Sequence, residues 1–124
     1  MPKASDFRWR FNTQAAYEGV SVVYRRGQAS VSLTAVPCSQ LLRTTDGRGN
    51  VKTERTERDF QLLADELVLN GAKSEPEAGD YIDWNLGETM DRFELMPINN
   101  EPAWRYADPF KVVIRAHTKF RKVL

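Results

Sequence analysis

With 124 residues and 18 Lys and Arg against 17 Asp and Glu, the chain is the size of one domain, and its formal charge of +1 lacks the basic excess that a DNA-gripping surface draws on. Its 41% hydrophobic and 10% aromatic residues suit a globular core, and no run approaches the ~20 apolar residues of a membrane-spanning helix. The single cysteine, Cys38, offers no disulfide framework, and the start Met1-Pro2-Lys3-Ala4-Ser5-Asp6 has no apolar targeting core, so a reducing cytoplasm is the expected setting.

Residues 5–17 place Phe7, Trp9, Phe11, Ala15 and Ala16 among polar neighbours, with Ser5 as a cap and Gly19 as a stop, which predicts a short N-terminal helix. The alternation Phe7-Arg8-Trp9-Arg10-Phe11 fits a strand equally well. From Val20 the pattern is β: residues 20–25, a turn at Arg26-Gly27-Gln28, and residues 29–36 with Ala29, Val31, Leu33 and Ala35 on one face. Pro37 is expected to end that ladder, with residues 39–43 a short further strand. Residues 44–50 form a polar tip, and residues 51–58 are charged and poor in core residues, so 43–58 is expected to project as a loop that is extended or disordered in the free subunit.

Residues 59–63 re-enter the core, residues 64–69 make a turn of helix, and Asn70-Gly71 stops it. The cluster from Ser74 to Asp80 is a turn that launches a strand at residues 81–84, which returns through a turn at residues 85–88 into a strand at 92–96. Pro102 and Pro109 bracket a loop holding Trp104 and Tyr106, residues 111–117 are the clearest strand, and residues 120–124 are a tail. The sum predicts a mainly β, small single-domain β-barrel or sandwich with one or two short helices: an N-terminal arm or helix at 1–18, a barrel at 19–119 and the tail.

Charge is uneven along the chain. Between Glu75 and Glu94 stand Glu75, Glu77, Asp80, Asp83, Glu88, Asp91 and Glu94 against Arg92 alone, whereas Lys111, Arg115, Lys119, Arg121 and Lys122 follow without an acid. Two solvated faces that partly pair with each other are the simpler reading, and subunits meeting head to tail are the sharper one. Motifs for catalysis are missing: there is no phosphate loop, no metal-ligand spacing and no nucleophile elbow. Glu75, Glu77, Asp80 and Asp83 lie in a turn, where carboxylates are usually solvated, and His117 reads as a hydrogen-bonded strand histidine ahead of a general base. Trp104-Arg105-Tyr106 resembles a base-stacking loop, but aromatics so placed more often fold against a barrel, and Trp84 and Trp9 read as core or interface anchors.

One ordered series of motifs goes further. Gly19-Val20-Ser21-Val22-Val23-Tyr24-Arg25-Arg26-Gly27, Arg58-Asp59-Phe60, Pro76 through Gly79-Asp80-Tyr81-Ile82, Pro102-Ala103-Trp104-Arg105-Tyr106-Ala107-Asp108-Pro109 and Ile114-Arg115-Ala116-His117-Thr118-Lys119 together resemble phage head-tail connector, or head-closure, proteins. In that family the last motif usually has Ile where Ala116 stands. The resemblance implies a small β-barrel without catalytic residues or cofactor, which joins head to tail as part of a neck ring in the virion, assembled in the host cytoplasm. Implied partners are further copies of itself, a portal or adaptor protein, and a tail terminator or tail-tube protein, with packaged DNA only as the contents of the lumen and no membrane. Trp104, Arg105, Asp108, Arg115 and His117 would serve as scaffold or assembly residues. The expected contact residues are Phe7, Trp9, Phe11, Arg48, Arg55, Trp104, Arg105, Asp108, Lys119, Arg121 and Lys122. Two rivals stay open: a nucleic-acid-binding β-barrel, and a small enzyme built on scattered acids and His117.

Overall fold

The structure is a computed structural model that describes residues 2–39, 42–45, 51–54, 57–97 and 101–124. Helix α1 (Ala4–Glu18) opens the chain, so the N-terminal alternation resolves as helix, not strand. Its first turn is tied down by Asp6, whose carboxylate accepts the Lys3 backbone N–H at 2.8 Å, in place of the expected Ser5 cap. Gly19 ends it by close approach, not by a left-handed turn. A Cβ there would meet the Ala15 carbonyl oxygen at 2.3 Å and the Thr34 methyl at 2.9 Å.

Strands β1 (Val20–Arg26) and β2 (Ala29–Ser39) form the expected hairpin, turning on Gly27 at φ +58. Pro37 does not stop β2. Pairing with β1 ends at Ala35, so beyond it β2 has a single strand neighbour, and a proline is tolerated on such an edge. Strands β3 (Leu42–Thr45) and β4 (Val51–Glu54) pair with each other as a separate ribbon, so part of the expected loop at 43–58 is a β-hairpin; the tip, residues 46–50, lies outside the described residues. Strand β5 (Glu57–Leu63) returns to the barrel, taking Arg58 with it.

A 3-10 turn (Ala64–Glu66) is followed by a small hairpin, β6 (Val68–Leu69) with β7 (Ala72–Lys73). Asn70 and Gly71, at φ 53 and 79, make its two-residue turn where a helix stop was expected. Strands β8 (Tyr81–Asn85) and β9 (Met90–Leu95) pair as expected, and Trp104–Tyr106, read from sequence as loop, is strand β10. Strand β11 (Val113–Val123) begins later and runs farther than expected, absorbing nearly all of the supposed tail.

Closure depends on β11. One edge pairs with β5, while its other edge pairs first with β10 at residues 114–116 and then with β9 at residues 118–123. The result is a closed six-stranded barrel in the order β11-β5-β2-β1-β8-β9, with β10 added at β11. A bulge between Phe120 and Lys122 leaves Arg121 as the extra residue, and Phe120 still points inward onto Phe93, ring centres 5.8 Å apart.

Inside, period-2 alternation delivers Val22, Tyr24, Leu33, Ala35, Phe60, Leu62, Ile82, Phe93, Leu95, Ile114 and Ala116 to one core, in which Phe60, Trp84 and Phe93 pack edge to face or tilted. Arg58 caps this stack 5.0 Å above the Trp84 ring. Outside, a second cluster forms where α1 lies over β2, β5 and β11: Phe11 is buried against Val36, Leu63, Val112 and Val113. No described helix is long and apolar enough to cross a membrane.

Candidate assembly surfaces

Four aspartates that look like site residues are buried, and each holds backbone or side chains in place. Asp83, flanked across the sheet by β1 and β9, accepts Arg25 Nε at 2.7 Å and Arg92 Nε at 2.8 Å. Burial pushes its carboxyl up, but the hydrogen bonds from Arg92 and Arg25 outweigh that and leave it below the usual carboxylate range. Asp80 accepts the Tyr24 hydroxyl, the Arg26 guanidinium at 2.9 Å and the Glu77 backbone N–H at 3.0 Å. Burial, reinforced by Asp80, drives the Tyr24 phenol far above its ordinary value, so it stays a donor. The expectation of solvated carboxylates in this turn is therefore corrected for Asp80 and Asp83, since arginines on neighbouring strands make their burial affordable.

Asp108, expected at a contact, is instead a loop cap. Its carboxylate accepts the N–H groups of Phe110, Val112 and Val113 at 2.7–2.9 Å and steadies the turn in which Lys111 takes φ 58. Asp59 accepts Arg115 Nε at 2.6 Å and lies 2.8 Å from His117 Nδ1; His117 Nε2 is 3.3 Å from Glu101. His117 is thus the hydrogen-bonded strand histidine the sequence predicts.

Cys38, Asp59 and His117 stand in one row across β2, β5 and β11, a composition that invites comparison with a thiol protease. The order is wrong for that chemistry. Asp59 lies between the other two, which puts Cys38 and His117 about 10 Å apart at two strand spacings. Burial also pushes the Cys38 thiol up, away from the reactive thiolate. Among the described residues, no group of three or more His, Cys, Asp or Glu could hold a metal ion.

Most of the acidic run is engaged inside the chain, whereas Lys111, Lys119 and Lys122 make no ion pair among the described residues. Arg121 donates to Glu94 at 2.8 Å, Glu77 lies 3.6 Å from Arg26, and the Tyr106 hydroxyl donates to Glu75 at 3.2 Å. With Asp80 and Asp83 buried, only Glu88 and Asp91 of that acidic run have no such partner among the described residues.

The expected contact residues divide. Trp9 is 68% exposed on the outer face of α1, with Ala16 and the 88% exposed Tyr17 on the same stripe. Arg105, Lys119, Arg121 and Lys122 are also exposed. Phe7 is half-buried, its ring 5.7 Å from Phe110, and Phe11 is only 4% exposed, so it is an internal anchor instead of a partner contact. Trp104 packs edge-on to Tyr106 against the barrel. Arg48 and Arg55 lie outside the described residues. Sequence reading missed Leu86, half-exposed at the tip of the β8–β9 turn, and the groove beside Arg10; the apolar residue inside a turn cluster was the available signal for the first.

Set beside known families, the chain matches the family model described as phage head-tail joining protein over residues 3–123. The chain belongs to that family. No curated protein and no solved structure gives a significant match. Membership gives the barrel a structural place at the head-tail junction of a virion, in contact with other head and tail proteins.

Proposed function

We infer that the chain is a head-closure component of the phage neck, repeated as a ring between a portal or adaptor protein and a tail terminator or tail-tube protein, and assembled in the host cytoplasm. The observation that carries this reading is the family match, which spans residues 3–123 and so takes in the whole barrel. Packaged DNA would pass the lumen without being gripped. Arg25, Arg26, Arg92 and Arg115 are each engaged by a buried aspartate, which removes them from the pool of phosphate contacts and disfavours the nucleic-acid-binding rival. The β3–β4 ribbon, inserted between β2 and β5, is the element suited to reach a neighbour or the lumen, and the Trp9-Ala16-Tyr17 stripe is suited to a portal-side or tail-side protein.

The test is particle assembly without the chain, complemented by wild type or by Trp9→Ala. Expected without it are heads that fail to retain DNA or to join tails, with partial rescue by Trp9→Ala although its melting temperature is unchanged. Normal infectious particles in its absence would overturn the reading, and tight salt-sensitive DNA binding by the isolated chain would favour the rival.

A further inference from the structure

Helix α1 does not lie flush on the barrel. Between them is a cavity of 160 Å³ with apolar walls from Phe7, Phe11 and Val113, the buried Asp108 beneath, and the exposed Arg10 and Gln14 at its mouth. The Asp108 carboxylate is turned toward three backbone N–H groups. The Arg10 guanidinium stacks 5.5 Å over the Phe7 ring and makes no ion pair among the described residues. The volume falls short of the ~300–1,000 Å³ typical of small-molecule sites, and suits one branched aliphatic side chain. The chemistry that fits is therefore an aliphatic group with a carboxylate next to it.

The chain carries that pair on the β8–β9 turn. Leu86 is 49% exposed, and Glu88 is exposed without an ion pair among the described residues. The turn is fixed before any contact: Leu86 N–H donates to the Thr89 carbonyl at 2.9 Å, Gly87 N–H donates to Asn85 Oδ1 at 2.9 Å, and Gly87 sits at φ +95, where other residues are strained. A rigid projection loses little conformational entropy on docking.

It cannot reach the cavity of its own chain. Val113 lines the cavity at one end of β11, whereas Leu124 N–H bonds Met90 beside the turn at the other end, about 36 Å along the strand at ~3.3 Å per residue. The turn can therefore fill this cavity only in another copy, and because turn and cavity are different surfaces such a contact is heterologous, the type that gives a ring where its rotation closes.

We propose that the turn from Leu86 to Thr89 of one copy docks into the cavity between α1 and the barrel of the next, with Leu86 against Phe7, Phe11 and Val113, and Glu88 paired with Arg10. The proposal rests on the ring reading above and names its interface. The test uses the full chain as Arg10→Glu, Glu88→Arg, the double variant and Leu86→Ser, all at exposed positions. Sedimentation across concentrations, copies per particle after complementation and melting temperature are measured together. Each reversal is expected to weaken self-association roughly tenfold, through the like charges it sets face to face, and the double variant to recover it. Leu86→Ser is expected to weaken it without lowering the melting temperature. Single reversals that associate and enter particles like wild type would overturn the docking and leave ring formation standing. A wild-type chain present as one copy per particle would overturn both. If wild type is monomeric in solution, copies per particle decide alone: loss in the single variants with recovery in the double supports the docking, and no loss overturns it.

Discussion

The barrel has two outer walls, and they meet water in opposite ways. Over β2, β5 and the start of β11 the wall is apolar, with Val36, Leu63 and Val113 under Phe11 of the helix. Over β1, β8 and β9 no described helix packs closely, and the wall is ionic: Asp83 lies between Arg25 and Arg92, whose guanidinium also covers the Tyr81 ring at 4.6 Å. A covered wall can use hydrophobic area, whereas an uncovered one must present charge, and this one buries a carboxylate by surrounding it with arginine stems. What looks like an acidic site in the sequence is thus the substitute for a missing helix.

The largest test of this division is to break the seam that joins the walls. Residues 120–124 read as a tail in the sequence, but Phe120 packs on Phe93 and residues 118–123 supply the pairing of β11 with β9. Removing 120–124 opens the barrel at that seam, and is expected to cost most of the ~5–15 kcal/mol that holds a domain of this size together. Circular dichroism and denaturant titration read the result; a cooperative transition at the wild-type midpoint would contradict the closure described.

Phe11→Ala tests the covered wall. Deleting this buried ring should cost about 3–5 kcal/mol, because Val36, Leu63, Val112 and Val113 then line a void. Hydrogen exchange should rise over α1 while the amides of β8 and β9 stay protected. Uniform loss of protection would show that helix and barrel unfold as one unit.

Asp83→Asn tests the ionic wall and should cost about 3 kcal/mol, since it leaves Arg25 and Arg92 facing a neutral amide in a buried position. It also has a pH signature. The Asp83 carboxyl sits below its usual value in the fold, so the folded chain binds its proton less readily than the unfolded one. Its contribution is then complete above about pH 4, the unfolded value, and is lost as pH falls through the lower folded value. Asparagine at 83 should flatten the acid side of the stability curve below about pH 4; an equally steep curve would assign acid sensitivity elsewhere.

Much of this division can be read before folding. Ala35-Val36, Leu62-Leu63 and Val112-Val113-Ile114 break strict alternation by placing apolar residues on both faces, and these are the points where the barrel has a core inside and α1 outside. Alternation elsewhere sufficed for the hairpins of β1 with β2 and β8 with β9. Other features escaped because they are set by partners distant in sequence. Asp80 and Asp83 lie in and just after a Pro- and Gly-containing turn, yet Tyr24, Arg25 and Arg26, more than 50 residues away, bury them. Asp108 looks like a contact residue until its backbone donors fold around it. Asn70-Gly71 was legible as a hairpin signal and was outweighed by the helix formers before it.

Arg121→Ala should have the smallest effect on the fold, and for that reason it is the sharpest probe of what the outer surface is for. Its pair with Glu94 has the same geometry as Arg92 with Asp83, both 2.8 Å, but the Arg121 side chain is 44% exposed and sits on a bulge, where water screens the pair and the long side chain loses entropy in holding it. Melting temperature and denaturant midpoint should therefore match wild type within measurement error, in contrast to Asp83→Asn. A clear loss of stability would mean that the ionic wall extends onto β11 and that the division drawn here is too narrow. Unchanged stability with fewer copies incorporated per particle would instead place Arg121, as the sequence suggested, where a neighbouring protein meets the barrel.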